Sequence, residues 1–349
     1  MSLRRAPLPS IGASVALAAL VAITTGCTTQ APPVTPSPSV TYESTYVAPP
    51  VTDTAPLRGT SVEVGSLAHA SIAAKIDNHP DARPQLGLEQ TDIVFEELVE
   101  GGLTRYVAVW QSTIPELLGP VRSIRPMDPD IISPFGGIVA YSGGQERFVN
   151  LMRQTPVYNA IHGQPDTAST FYRLDTKSAP HNVVVKAREV LAAHTDLAAP
   201  AQQFAFAPDV ASSTAAKDGT PTAAINYRFS TQVSGSWGWN ADTATFLRFQ
   251  GQGADVDSSG TQLGATNVVV MRVPVSINRD IPETEIVGTG EAWISTGGAT
   301  VHATWSKESP TSAVHLADDN GVAVRLAAGN TWIELVPLAG SVTFAAPAA

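Results

Sequence analysis

Residues 92–110 read DIVFEELVEGGLTRYVAVW. Val, Ile and aromatic side chains dominate 92–95 and 105–110, which marks both as strands. Gly101 and Gly102 stand between them, the residue type that a tight reversal of the chain needs. If the pair turns a hairpin, Arg105 shares a strand face with Leu103 and Val107, an odd place for a solvated charge, and so predicts a partner there.

Outward from this hairpin, 71–76 and 137–141 read as further strands, while 126–135, 146–153 and 185–194 suit helices: Phe148, Leu151 and Met152 recur at helical spacing, as do Val190, Leu191 and His194. That alternation argues α/β for residues 57–202. Ala, Pro, Ser and Thr crowd together at 197–217, which reads as a connection between domains. Beyond it come short strands at 223–229, 236–239, 245–249, 267–272, 291–295, 300–305, 321–326 and 331–336, with no helix of ordinary length. Gly297-Gly298 and Asn320-Gly321 supply the positive φ of tight hairpins. The expectation is a two-domain α+β chain, an N-terminal mixed α/β domain (57–202) followed by a mainly antiparallel β domain (203–349).

Of 349 residues, 43% are hydrophobic and 15% charged, which excludes an intrinsically disordered chain. The net charge is −10 with no Lys/Arg block, which argues against a nucleic-acid partner. A single cysteine rules out an internal disulfide framework and any multi-cysteine metal site.

That cysteine is Cys27. Arg4 and Arg5 precede an apolar run, 11–23, which ends in Thr24-Thr25-Gly26-Cys27. This is the layout of a secretory signal over 1–26, too short to span a membrane permanently. Its end resembles a bacterial lipobox, with Thr24 where Leu is usual, so Cys27 is expected to be lipidated and to anchor the chain at the outer face of the cell membrane. Residues 27–56 then form a spacer with seven prolines between 28 and 56. As polyproline II it would reach at most about 90 Å, at about 3.1 Å per residue.

The stretches AKIDNHPDARPQLGL, DIVFEELVEGGLTRYVAVWQS, GPVRSIRP, FYR and APHNVVV resemble the N-terminal signature of the YerB-like bacterial lipoproteins, and TQLGATNVVVM, GTGEAWI, TWSKES and AGNTWIELVP their C-terminal region. The resemblance runs in order over about 57–344. It implies a two-part extracytoplasmic domain of unassigned biochemical function and carries over no catalytic residues.

The residues themselves supply the site hypothesis. Nine of the twelve basic residues in 57–202 are arginine, whose planar fork suits carboxylate or phosphate. Arg122 and Arg125 flank Ser123 between Pro120 and Pro126, and with Asn78, His79, Arg83, Arg105, Arg173, His181 and Asn182 they form the expected ligand set. Glu97, Glu100 and His181 are the candidates for proton transfer. Three readings stay open: a paired structural network, because buried Arg and carboxylate usually pair; an anion-binding pocket; and an envelope hydrolase with Glu97 or Glu100 as acid/base. A protein-binding scaffold using the tryptophan-rich second half is a further alternative.

No HxH or HExxH spacing points to a metal, and no cofactor motif is present; Gly251-x-Gly253 and Gly288-x-Gly290 lack the setting of a nucleotide loop. Gly143 and Gly144 suggest free amides at a helix start, a modest anion site. Trp237, Trp239, Trp293, Trp305 and Trp332 suit a β core better than an exposed sugar-stacking strip. The expected partners are the membrane, through the lipid, and an anionic envelope ligand or a protein.

Overall fold

The run IAAKID forms the strand Ile72–Asp77, buried throughout. A strand buried on both faces sends alternate side chains to opposite sides. Ile72, Ala74 and Ile76 join one apolar cluster with Val94, Tyr106, Ala108 and Trp110. Ala73 joins another with Ile93, Phe95, Val107 and Val109. Period two then carries Lys75, Asp77, Glu97 and Arg105 to the second side, which continues from apolar core into charge.

A computed structural model describes residues 44–348. The signal, Cys27 and most of the spacer lie outside the described residues. From Pro50 onward the chain forms one compact unit, made mostly of strands with few and short helices. Its centre is an eleven-stranded sheet. In spatial order this runs Thr220–Pro221, Ala299–Lys307, Gly288–Thr296, Asn267–Val273, Thr331–Pro337, Ile93–Leu98, Thr104–Trp110, Ile72–Asp77, Ile138–Tyr141 and Tyr158–Ile161, with His315–Asp318 pairing Ala299–Lys307.

The sheet crosses the 202/203 division expected from composition. Thr331–Pro337 pairs in parallel with Ile93–Leu98, Thr331 opposite Ile93 and Glu334 opposite Glu96. The same strand pairs in parallel with Asn267–Val273 on its other side. The two halves are therefore joined through backbone hydrogen bonds as well as through the connection.

A six-stranded sheet that includes Ala224–Arg228, Ser234–Asn240, Thr245–Gln250 and Ser341–Ala345 covers one face. It contributes Ile225, Tyr227, Trp237 and Phe246 to the cluster around Trp332, Tyr106 and Val268. The opposite face packs Met127, Ile131, Ile132, Phe135, Phe148 and Met152 from the short helical segments.

The expected helices shrink. The 126–135 segment becomes Asp128–Ile132 plus the single turn Ser133–Phe135. The 185–194 segment splits, because the β-branched run in Val183–Lys186 extends as a strand and only Ala187–Ala192 coils. A mixed α/β layering of the N-terminal half does not emerge from such short pieces. In the supposed connection, Ala205–Ala207 is a strand pairing Arg325–Ala327, and Thr214–Asp218 is a short helix capped by the Ser213 hydroxyl. The strand expected at 321–326 is observed as Arg325–Ala327.

Candidate functional site

The hairpin predicted at Gly101-Gly102 forms, with both glycines at φ 71°. It sets Arg105 opposite Glu97 on one neighbouring strand and opposite Asp77 on the other. Neither carboxylate closes on it. Glu97 is fully buried and accepts from Lys75 Nζ, which also donates to Asp128 Oδ1 at 2.7 Å. Burial pulls the Lys75 ammonium down to about 8, against the attraction of Asp128. Asp77 turns instead to His181 Nδ1, 2.6 Å from its Oδ2, and to Arg122 Nε at 3.3 Å.

Arg105 is thus 7% exposed, and among the described residues no carboxylate lies within salt-bridge distance of it. Its Nη1 donates to the Ser123 carbonyl at 2.9 Å. Burial, with Arg125 and Arg122 alongside, pulls its guanidinium down to about 10.

These groups surround a hollow of about 170 Å³ lined by Asp77, His79, Val99, Glu100, Leu103, Thr104, Arg105, Arg122, Arg125 and His181. Arg125 Nε donates to Glu100 Oε2 at 2.7 Å, and its Nη1 to the carbonyls of Ile124 (3.0 Å) and Ser123 (3.3 Å). Burial acts to raise the Glu100 pKa, but the hydrogen bond from Arg125 and the nearby positive charge outweigh it and hold the carboxyl below its ordinary range. Glu100 is therefore suited to balance charge and poorly suited to be a general acid. His79 stacks on His181, ring centroids 4.3 Å apart and planes 17° from parallel.

Of the expected ligand set, the fold gathers His79, Arg105, Arg122, Arg125 and His181 around the hollow, with Glu100. Ser123 contributes its carbonyl, which two arginines share. The others lie outside it. Asn78 donates to Glu96 Oε1 and Thr104 Oγ1 and accepts from Arg83 Nε, so both Asn78 and Arg83 tie down a loop. Arg173 Nη1 donates to Asn182 Oδ1, and Asn182 in turn donates to the carbonyls of Leu174 and Lys177. Glu97 does not line the hollow, since Lys75 holds it within the sheet.

Sequence reasoning missed Asp77 and Asp81. Asp77 ends an apolar strand just before Asn78-His79-Pro80, a signal that was present. His79, Asp81 and His181 also come together, with ligand-type atoms all within 4.8 Å of one another. Spacing along the chain gave no hint of this, because His181 arrives on a distant loop. Of the tryptophans, Trp237, Trp305 and Trp332 are core, as preferred, while Trp239 and Trp293 are half-buried.

Two family models match this chain: "Protein of unknown function (DUF3048) N-terminal domain" over 57–200, and the C-terminal domain of the same family over 225–333. The chain belongs to the DUF3048 family. It is 36% identical over 128 residues to "Putative lipoprotein YerB" of Bacillus subtilis (strain 168), a match covering 37% of this chain and 38% of that protein. The matched stretch therefore spans well under half of the relative. A crystal structure of the YerB protein from Bacillus subtilis superposes with a TM-score of 0.72 at 22% identity, covering 83% of this chain and 99% of that one. The YerB-like resemblance of the sequence is thus shown, and the fold is shared; in the described residues no helix is long and apolar enough to cross a membrane.

Proposed function

We propose that the hollow receives an anionic or polar group of a cell-envelope ligand. The protein is then a binding or accessory module, tethered by lipid on Cys27 to the outer face of the membrane. The observation that carries this reading is Arg105, a guanidinium almost removed from water and held by a carbonyl with, among the described residues, no carboxylate within salt-bridge distance. An uncompensated buried cation is costly, and a bound anion offsets that cost.

The charge around the hollow supports it. Three guanidiniums face two carboxylates, a local positive excess in a chain whose net charge is −10. A hollow of about 170 Å³ has room for a phosphate or a small carboxylate-bearing group. The relative's name supports the lipid tether.

Thermal unfolding in phosphate, citrate and soluble wall fragments tests the reading. A ligand of the native state raises Tm, with about 2.7 kcal/mol of stabilisation at a hundred times Kd. We expect at least one of the three to do so in the wild type and not in Arg105→Gln. No shift with any of them, or an equal shift in the variant, would sink it.

A further inference from the structure

At the rim of the hollow, His79 and His181 come from loops a hundred residues apart in the chain, yet their rings stack at 4.3 Å. Asp81 completes the group, its Oδ2 3.6 Å from His79 Nδ1. Behind His181 stands Asp77, 2.6 Å from Nδ1. A carboxylate on one imidazole nitrogen fixes the tautomer with the proton facing the carboxylate, which leaves the Nε2 lone pair free. Metal-ligating histidines are commonly held by such a carboxylate on their other ring nitrogen.

We propose that His79, Asp81 and His181 hold a divalent first-row transition ion, with Zn²⁺ the natural probe. Two imidazoles and one carboxylate suit this class better than Mg²⁺ or Ca²⁺, which prefer all-oxygen ligands. Three protein ligands leave a coordination position open, as in catalytic zinc sites.

The adjustment required is small. At Zn–N and Zn–O distances of about 2.1 Å, tetrahedral ligand atoms sit about 3.4 Å apart. The three residues offer atoms within 4.8 Å, so the rings must splay and the carboxylate must close in by at most about 1.4 Å. His79 is a third exposed and Asp81 two-thirds exposed, so both have freedom to turn, while His181 is pinned by Asp77. Arg122 also touches Asp77, and Arg105 and Arg125 lie beyond it around the hollow. These cations would repel a bare ion, and they favour a site whose open position carries an anion. That last feature rests on the anion reading above, whereas metal binding itself is measured without any anion added.

Titrating the untagged full chain with Zn²⁺ by calorimetry, and with Co²⁺ by visible absorption in chloride-poor buffer without phosphate or citrate, decides the matter. We expect one ion per chain with d–d bands of four- or five-coordinate Co²⁺. His79→Ala and His181→Ala should each lower affinity at least tenfold, and Asp77→Asn by 10- to 100-fold through His181. His302→Ala removes a histidine already engaged by Glu291 and Asp319 and should change nothing. Circular dichroism confirms that each variant is folded, and His79→Gln serves should the alanine variant not be. No binding at 100 µM metal, or binding unmoved by the His79 and His181 substitutions, overturns the proposal. Phosphate stabilisation retained in His79→Ala while Zn²⁺ binding is absent from the wild type would overturn this site and leave the anion reading intact.

Discussion

Arg248 and Arg105 both carry a guanidinium almost out of reach of water, on opposite faces of the same central strands, and their surroundings are opposites. Arg248 reaches in from the six-stranded sheet to Glu96 Oε2 (2.5 Å), to Asp255 and to the Tyr227 hydroxyl (3.1 Å). The rings of Trp332, Tyr106 and Trp237 close around it at 4.9, 5.3 and 5.8 Å. Burial and the neighbouring Glu96 push the Glu334 carboxyl well above its ordinary range. Arg105 has a carbonyl and an open hollow. Glu96 and Glu97 show how one strand serves both: successive side chains point to opposite faces, one into the closed cluster and one to Lys75 beneath the hollow. A buried cation surrounded by anions is finished structure. One left short of them is what the proposed anion binding rests on.

The largest effect should come from breaking the closed case. Arg248→Met leaves Glu96 and Asp255 buried without their cation, and equilibrium urea unfolding should show a loss of about 3–5 kcal/mol. A loss under about 1 kcal/mol would mean that the cluster is not the support described.

Lys75 tests the intermediate case, a cation that is paired and still pays for burial. Its folded pKa of about 8 lies below the 10.5 of the free side chain. The unfolded chain therefore binds more protons across that interval, and stability must rise with pH there. We expect a gain of about 2 kcal/mol between pH 8 and pH 10. Lys307, also lowered to about 8 by burial, adds a rise of the same sign. Above about pH 10 the slope should reverse, because Tyr106 and Tyr227 are held protonated by burial and ionise first in the unfolded chain. A flat or falling curve from pH 8 to pH 10 contradicts the assignment.

The open case should yield least. Arg105→Met orphans no carboxylate, so its stability should stay within about 1 kcal/mol of the wild type even though the residue is as buried as the core. A loss above about 3 kcal/mol would mean that Arg105 is a paired structural cation, like Arg248. Glu100→Gln cuts a half-exposed pair with Arg125 and should cost about 0.5–1 kcal/mol at neutral pH. Because the folded Glu100 pKa is depressed, that contribution is present above the unfolded value and fades as pH falls through the folded one. Wild type and variant should therefore converge in acid, once the folded carboxyl is protonated.

The strands were legible where period and residue type agreed. Ile93–Leu98, Thr104–Trp110 and Ile138–Tyr141 fall within a few residues of their expected ends, and Glu146–Arg153 matches its helix. Arg105 was suspected from its face alone. Arg248 was not, because TFLRFQ reads as an ordinary alternating strand and nothing local says that its partners stand on Ile93–Leu98 and Thr331–Pro337. Lys75 was equally hidden within IAAKID. The joining of the two halves escaped for the same reason: parallel pairing of distant segments leaves no mark in the composition of either. Asn78 and Asn182 looked like ligand residues because polar side chains beside proline suit a site, yet they suit a hydrogen-bonded loop equally well.

The placement of Thr331–Pro337 bears on how the molecule is assembled. This strand separates Asn267–Val273 from Ile93–Leu98 and hydrogen-bonds to both. A ribosome delivers it after both of these neighbours. Until then the nascent chain presents an apolar, unzipped margin along Ile93–Leu98, the kind of surface that chaperones cover and that aggregates recruit. Truncation before this keystone should therefore yield an insoluble fragment rather than a smaller working domain.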